Sequence, residues 1–177
     1  MTYEIRLHGI GGQGVAAAAE LMALAAIVEG KWSQAFPFFG TEIRGGSVKA
    51  FTRVSLQPIR TRSFIYKPDL IVVFSSYLLS PEVVDGARSK TTVLVNSRQK
   101  EMAVPGFPSI KIDTIDAEGI KESTPGCRMS NAVLMGAMLH FTNIQLESLE
   151  EAFYRKYSKD IAKSNILGAR AGFQYLT

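Results

Sequence analysis

The sequence predicts an α/β fold with a Rossmann-like, doubly wound, mostly parallel sheet, helices on both faces and a helical C-terminal region. Three observations predict it. A strand pattern runs through a glycine-rich turn into a long helix pattern at the N-terminus, apolar runs bounded by turn residues follow in the middle, and helical periodicity fills the last third. Because no repeat, low-complexity tract or linker interrupts this order, residues 1–177 are expected to form one domain.

The first elements are a strand, a turn and a helix. Apolar and polar residues alternate from Tyr3 to His8, which predicts a strand that ends at Gly9. Strong helix formers dominate from Val15 to Glu29 on nearly every face, and Gly30 follows at a common C-cap position. The segment therefore predicts a buried helix.

Further along the chain, apolar runs predict strands and periodic stretches predict helices. A short strand in KWSQAFPFFG is expected to be closed by Pro37 and Gly40. The other predicted strands lie in SVKAFTRVS, PDLIVVFSS, TTVLVNS and SIKIDTI. Ser130 or Asn131 is expected to help begin a helix. The predicted helices run from about Pro81 to Ala87, Met129 to Phe141, Leu146 to Tyr157 and Ile161 to Phe173.

The composition and charge exclude several classes of protein. A hydrophobic content of 46% suits a globular chain rather than a disordered or fibrous one. Met1–Arg6 lacks the basic and apolar regions of a secretion signal, and the apolar stretch Val15–Val28 contains Glu20 and is shorter than the ~20 residues that span a bilayer. We therefore expect a cytoplasmic protein with no membrane partner. The net charge of +4 comes from scattered residues, so no nucleic-acid partner is expected.

Cys127 is the single cysteine of the sequence. It cannot form an internal disulfide, and it cannot supply the four thiolates that an iron–sulfur cluster normally requires. Its neighbour Arg128 could lower the thiol pKa and make the residue reactive, but the role of a small apolar residue is favoured. No metal-binding residues are predicted in this chain.

The turn GIGGQG joins the first strand to the first helix. Gly9, Gly11 and Gly14 have the spacing G-x-G-x-x-G, which suits a phosphate because glycines allow a close backbone approach and a helix N-terminus favours an anion. The acidic residue that would bind a ribose is missing, since aromatic residues end the second strand and Glu42 lies beyond Gly40. Ordinary NAD binding is therefore disfavoured. The alternative that the turn only packs the helix against the sheet stays open.

Several longer stretches give the chain a family resemblance. The turn GGQG, the segment EGKWSQAFPFFG, the loop and strand EIRGGSV, and the pair PI and IYKPD occur together with SNAVLMGAM and KSNILGARAGF in the helical tail. These stretches cover nearly the whole chain. The chain resembles the gamma subunits of pyruvate:ferredoxin oxidoreductase, also called pyruvate synthase, in the 2-oxoacid:ferredoxin oxidoreductase family.

The resemblance implies an enzyme subunit. Members of the family oxidatively decarboxylate a 2-oxoacid with coenzyme A, form an acyl-CoA and CO2, and reduce ferredoxin in anaerobic metabolism. This chain has no GDG-type motif for magnesium and diphosphate, and it has one cysteine. Thiamine diphosphate, Mg²⁺ and iron–sulfur clusters are therefore expected on the alpha, beta and delta partner subunits. The isolated chain is not expected to be active, and no catalytic residue is assigned to it.

The resemblance also gives the glycine turn and one arginine a candidate role in binding coenzyme A. Backbone amides at a helix start and a guanidinium group both suit phosphates. Arg44 could equally anchor a subunit interface, and Gln13 could offer its amide to a ligand, a partner chain or the loop around Arg44. The candidate residues are Gly9, Gly11, Gly12, Gln13, Gly14 and Arg44.

Two alternatives remain. The chain could be a stand-alone nucleotide- or CoA-binding Rossmann module, or a gamma-type subunit for a branched-chain 2-oxoacid, 2-oxoglutarate or indolepyruvate. Ile43, Leu56 and Ser75 depart from the residues expected of the family, which bears on the substrate more than on membership. The stretches SQAFPFFG and IRTRSFIY favour the pyruvate or branched-chain group.

Other residues have both a functional and a structural interpretation. His8 stands where α/β proteins collect ligands, but no carboxylate or nucleophile is paired with it in the sequence, and His140 is expected to be structural. Asn131 and Asn165 lie in helical segments, where a cap, a buried hydrogen bond or a contact between chains would explain them. A group of aromatic residues is expected to lie either in the core or at an exposed interface with a partner chain, and the interface is favoured. Its members are Trp32, Phe36, Phe38 and Phe39.

Overall fold

The computed structural model of the chain describes residues 2–39 and 46–176, and a six-stranded sheet runs through their centre. Across this sheet the order is β2-β3-β1-β4-β5-β6. β1, β4, β5 and β6 pair in parallel, whereas β3 is antiparallel to both β1 and β2. The predicted α/β fold with a mostly parallel sheet is confirmed. The strands are β1 (Thr2–Ile10), β2 (Trp32–Phe39), β3 (Ser47–Ser55), β4 (Leu70–Val73), β5 (Thr92–Asn96) and β6 (Lys111–Ile115).

Helices connect the strands and form the C-terminal region. Those that the sequence predicts are present with slightly different ends, and short 3-10 turns lie at Ser76–Leu78 and Leu139–Phe141. The helix expected to begin near Ser130 or Asn131 has Ser130 as its first residue, but neither of these is the cap, because the N-cap residue there is Met129. The helices are α1 (Val15–Val28), α2 (Pro81–Val84), α3 (Ala117–Ser123), α4 (Ser130–Met138), α5 (Leu146–Lys156) and α6 (Lys159–Tyr175).

Two local features differ from the sequence-based expectation. β2 continues through Pro37 instead of ending there, because β2 is the edge of the sheet and a proline at an edge removes no ladder hydrogen bond on the outer side. The short helix α3 was not predicted. Its signal is the cap at Asp116, whose Oδ1 accepts the Gly119 N–H at 2.9 Å.

One face of the sheet is covered by α1, α4, α5 and α6. Ile5 and Leu7 of β1 point to this face and are fully buried among apolar residues of these helices. Gly136 lets α4 and α6 approach closely, because a Cβ there would lie 1.9 Å from the backbone oxygen of Ala169. The glycine in the SNAVLMGAM stretch thus serves helix packing.

The opposite face is covered by α2 and by irregular segments, and it holds a smaller apolar cluster. Ile71 and Val73 of β4 pack there with Val84 of α2. Arg6 and His8 of β1 lie beside Ile71 and Val73 in the parallel register, so their side chains point to this second face. The interior on this side therefore contains charged and titratable groups as well as apolar ones.

Candidate functional site

The glycine turn makes a tight connection from β1 to α1 at the carboxyl end of the parallel strands. Gly14 is the N-cap residue of α1 with φ 76°, and Gly12 has φ 91°. Both values lie in the left-handed region that glycine tolerates best. Because the first N–H groups of a helix have no acceptor within it, the start of α1 presents hydrogen-bond donors at this edge of the sheet.

The glycines of the turn divide into packed and open positions. A Cβ at Gly9 would lie 2.4 Å from Cγ2 of Val15, and a Cβ at Gly14 would lie 2.2 Å from Nδ2 of Asn131. At Gly12, by contrast, nothing lies within 4 Å of that position, and Gly11 beside it is exposed. The packing interpretation therefore explains Gly9 and Gly14, whereas Gly12 leaves room for a ligand.

The oxygen and the nitrogen of the Gln13 side-chain amide both form hydrogen bonds within the chain. Its Oε1 accepts the Ile10 N–H at 2.9 Å, and its Nε2 donates to Oγ of Ser75 at 2.6 Å. Ser75, which departs from the residue expected of the family, is thus the partner that ties the turn to the end of β4. Gln13 fixes the shape of the turn. Arg44, the other predicted side-chain ligand, lies outside the described residues.

A cleft of about 200 Å³ opens beside the turn. Gly12 and Gln13 line one side of it, and Ser130 and Asn131 line another. The N-termini of α1 and α4 therefore meet at this cleft. Helix N-termini carry partial positive charge and favour anions and carbonyl oxygens.

Two further residues of the cleft were not found from the sequence. Asn96 ends β5, where its Nδ2 donates to the Phe74 oxygen at 3.2 Å and its Oδ1 accepts the Ala117 N–H at 3.0 Å. Glu118 of α3 also lines the cleft. Asn96 could have been predicted from the sequence, because polar residues that end parallel strands meet at one edge of a sheet. Glu118 depends on α3, which the sequence pattern did not show.

Glu118 brings a negative charge to the cleft. Hydrogen bonds from Lys121 and Ser130 hold the pKa of its carboxyl below the ordinary value, against the opposing effect of burial. The carboxylate is therefore ionised at neutral pH, and it weakens the attraction of the two helix N-termini for an anion deep in the cleft.

On the second face of the sheet, Arg6 and His8 form a buried pair. Arg6 Nη2 donates to the backbone oxygens of Val83 and Asp85 at 2.8 Å and 2.6 Å, and its Nε donates to Nε2 of His8 at 3.1 Å. Burial, followed by the positive charges of Arg6 and Lys49, lowers the pKa of His8 to about 3. His8 is therefore a neutral ring at physiological pH and is not poised as a proton acceptor near neutrality.

Cys127 and His140 have structural surroundings. The alternative in which Arg128 lowers the thiol pKa is wrong, because burial raises the pKa of Cys127. His140 Nε2 lies 2.6 Å from the backbone oxygen of Phe173, and the two rings stack.

Asn165 is buried in α6, and its Oδ1 has no hydrogen-bond partner among the described residues.

The aromatic group has a packed centre and an exposed rim. Phe36 stacks on Phe51 with ring centroids 5.0 Å apart, and Phe64 lies against Phe38 at 5.1 Å. Trp32, Phe38 and Phe64 are 54%, 43% and 42% exposed. The centre of the group is therefore packed and its rim exposed, and a role of the rim in a subunit interface stays a prediction. The side chain of Phe39 lies outside the described residues.

Neither a metal site nor a membrane span is found where the structure is described. Within residues 2–39 and 46–176, no three side chains of His, Cys, Asp or Glu are grouped so that they could hold a metal ion. The helices of this same part of the chain are all too short or too polar to cross a bilayer.

Comparison with known proteins identifies the family. The family model described as pyruvate ferredoxin/flavodoxin oxidoreductase matches residues 4–175. The chain belongs to this family. It is a gamma-type member of the 2-oxoacid:ferredoxin oxidoreductases, and the resemblance seen in the sequence is confirmed.

Individual relatives match almost end to end. The common gamma subunit of the pyruvate/ketoisovalerate oxidoreductases of Thermococcus litoralis is 40% identical over 97% of this chain and 95% of its own length. The pyruvate synthase subunit PorC of Methanothermobacter marburgensis is 39% identical over 97% of this chain and 95% of its own. The crystal structure of the pyruvate oxidoreductase subunit PORC from Thermotoga maritima superposes with a TM-score of 0.81 at 29% identity, covering 98% of this chain and 96% of that one.

Proposed function

We propose that this chain is the gamma subunit of a multi-subunit oxidoreductase that decarboxylates pyruvate with coenzyme A, releases acetyl-CoA and CO2, and reduces ferredoxin. The observation that carries the proposal is the 40% identity, over 97% of the chain, to the common gamma subunit of Thermococcus litoralis. That relative is named for both pyruvate and ketoisovalerate. A branched-chain 2-oxoacid is therefore the second candidate substrate.

The redox chemistry is assigned to alpha, beta and delta partner subunits. Electron transfer to ferredoxin needs iron–sulfur clusters, and a chain with one cysteine does not supply their ligands. Thiamine diphosphate with Mg²⁺ would provide the carbanion chemistry on a partner. The role of this chain is to complete the complex and to help bind coenzyme A.

Subunit omission tests this assignment. The complex is purified from its native source, its chains are identified by mass spectrometry, and it is reassembled with and without this chain. We expect pyruvate- and CoA-dependent reduction of ferredoxin to require the full set, with the isolated chain inactive. A chain that never copurifies with thiamine- and cluster-binding partners, yet binds a nucleotide or coenzyme A alone, would instead be the stand-alone module.

The glycine turn is the proposed contact for a phosphate of coenzyme A. Gly12 lines the cleft and is exposed, as is Gly11 beside it, and the N–H groups at the start of α1 follow in the chain. Gly9, Gln13 and Gly14 support this contact indirectly, because they set the shape of the turn. The proposed role of Arg44 in binding coenzyme A or a neighbouring subunit rests on its sequence position alone.

A pair of substitutions at Gly12 tests the phosphate contact. Asn and Asp both tolerate positive φ and nearly match in shape, so Gly12→Asn and Gly12→Asp differ mainly in charge. The added carboxylate is expected to raise KM for coenzyme A at least about tenfold relative to the Asn variant, with KM for pyruvate unchanged. Equal values of KM for coenzyme A in the two variants would contradict a phosphate contact at the turn.

The aromatic rim of the sheet is the proposed contact with a neighbouring subunit. Phe38 and Phe64 are adjacent and partly exposed, and Arg60, Arg62 and Lys67 are exposed residues close to Phe64 in sequence. Interfaces favour such a mixture of aromatic and arginine side chains. Phe38→Ser is expected to weaken retention of this chain in the complex. Tyr154→Ser, at a similarly exposed position on α5, is the matched control.

A further inference from the structure

A second pocket, of about 240 Å³, lies on the sheet face opposite α1. It sits at the carboxyl end of β1, between the start of β3 and the segment that contains α2. It is separate from the cleft at the glycine turn, since none of its lining residues also lines that cleft. Its polar lining residues are His8, Ser47, Lys49, Ser80 and Glu82.

His8 lines this pocket and has one fixed hydrogen-bond donor. Its Nε2 accepts from Nε of Arg6 at 3.1 Å, so the neutral ring carries its proton on Nδ1. The ring is 4% exposed and is held by a guanidinium that is itself anchored on backbone oxygens. The donor is therefore preorganised and does not titrate near neutral pH.

Lys49 adds a positive charge next to His8. The two residues are partners in the antiparallel register of β1 and β3, and the charge of Lys49 is near enough to disfavour protonation of the ring. Within residues 2–39 and 46–176, Lys49 forms no ion pair with a carboxylate. Ser47, two residues before Lys49 on the same strand, also lines the pocket.

The remaining charges around the pocket disfavour a ligand with more than one negative charge. Arg6 lies behind His8, and its hydrogen bonds go to neutral backbone oxygens and to the imidazole. Asp85 accepts a hydrogen bond from Arg6 through its backbone oxygen, and the negative charge of its side chain favours the charged form of Arg6. Glu82 is exposed on the lining, and its carboxylate is hydrogen-bonded to the Ser80 hydroxyl. A dianion such as phosphate would be repelled by Glu82 more strongly than a monoanion.

We propose that this pocket binds the carboxylate group of a small organic acid, which accepts hydrogen bonds from Nδ1 of His8, the ammonium of Lys49 and the hydroxyl of Ser47. A volume of about 240 Å³ matches an acid of a few heavy atoms rather than a nucleotide. The site lies apart from the turn proposed for coenzyme A. The inference does not depend on the proposed function.

Nuclear magnetic resonance of the imidazole nitrogens tests the site on the full chain. The sequence contains two histidines, so His8 can be resolved and His140 serves as an internal control. Acetate and pyruvate are titrated at constant ionic strength, with chloride and inorganic phosphate as comparisons. We expect a saturable shift of the His8 Nδ1 signal with both carboxylates, a weaker response to phosphate and no response at His140.

Two lysine variants complete the test. Lys49→Met keeps the length of the side chain and is expected to weaken the carboxylate affinity by at least about tenfold, the usual scale for losing a charge-assisted hydrogen bond. Lys100→Met removes a charge from an exposed position outside the pocket and is expected to change nothing. The site is overturned if His8 does not respond to carboxylates, if chloride gives the same shift, or if Lys49→Met binds as the wild type does.

The assembled complex distinguishes two sources of the carboxylate. If the ligand is a free acid, acetate still shifts the His8 signal in the complex. If an acidic side chain of a neighbouring subunit fills the pocket, His8 is already shifted on assembly and acetate adds nothing. Both outcomes support recognition of a carboxylate, whereas an unshifted His8 that ignores acetate in the complex contradicts it.

Discussion

The two faces of β1 bury side chains of opposite chemistry to almost the same depth. Ile5 and Leu7 are 0% exposed beneath α1, and Arg6 and His8 are 7% and 4% exposed on the other side. The apolar side chains are stabilised by removal from water. The charged side is stabilised by hydrogen bonds between Arg6, His8 and backbone oxygens. An alternating strand can therefore be buried on both faces when its polar residues find partners.

Removal of Arg6 is expected to have the largest effect. Arg6→Met keeps much of the side-chain volume but leaves the oxygens of Val83 and Asp85 and the Nε2 of His8 without their donor. We expect the free energy of unfolding to fall by about 4 kcal/mol, since each buried polar group without a partner costs about 1–3 kcal/mol. Urea unfolding of wild type and variant measures the difference. If the free energy of unfolding fell by less than it does for a typical surface substitution, water would have to replace the guanidinium as the hydrogen-bond donor.

Truncation of Leu7 tests the neighbouring position on the apolar face. Leu7→Ala leaves a cavity beneath α1 and is expected to lower the free energy of unfolding by about 3 kcal/mol. Unlike Arg6→Met, it should leave the signals of His8 unchanged, because Leu7 points away from the second face. Urea unfolding and a histidine spectrum of the same sample check both statements. A perturbed His8 signal would show that the two faces are not independent.

The charged face should also respond to pH, whereas the apolar face should not. The pKa of His8 is about 3 in the folded chain against an ordinary value of 6.5, so the unfolded chain binds the proton more tightly. The contribution of the neutral His8 ring to the free energy of unfolding is complete above pH 6.5 and is lost as the pH falls from 6.5 towards 3. Near pH 5, the free energy of unfolding is expected to be lower by about 2 kcal/mol.

His8→Gln is the control for this pH dependence. Its side-chain oxygen can still accept from Arg6 Nε, but it does not titrate. Urea unfolding of both proteins near pH 7 and near pH 5 measures the effect, and the other titrating groups cancel in the comparison. The same loss of stability in wild type and variant would assign the pH dependence to groups other than His8.

The smallest effect is expected for a guanidinium at the outer surface of the apolar face. Arg170 of α6 donates to both carboxylate oxygens of Glu150 on α5, at 2.6 Å and 2.8 Å, so its geometry is as good as that of the buried Arg6. Because solvent screens this exposed pair, Arg170→Ala should hardly move the urea midpoint. A shift comparable to that of Arg6→Met would show that burial is not what separates the two arginines.

The sequence by itself determined the elements whose signal is local. The alternation in β1, the glycines at positive φ before α1 and the apolar runs of β4 and β5 can be recognised from neighbouring residues, because each depends on backbone periodicity or on a backbone conformation that few residues adopt. The family also followed from the sequence, since its motifs extend over nearly the whole chain.

The tertiary structure alone decided how these elements form sites. The Gln13 amide is hydrogen-bonded to Ser75, which follows β4, and Asn96 and Glu118 reach the cleft from the end of β5 and the start of α3. The burial of Arg6 and His8 depends on Val83 and Asp85, far along the chain. These contacts join residues that are distant in sequence, so their free energy exists only once the sheet has assembled and its covering segments have packed.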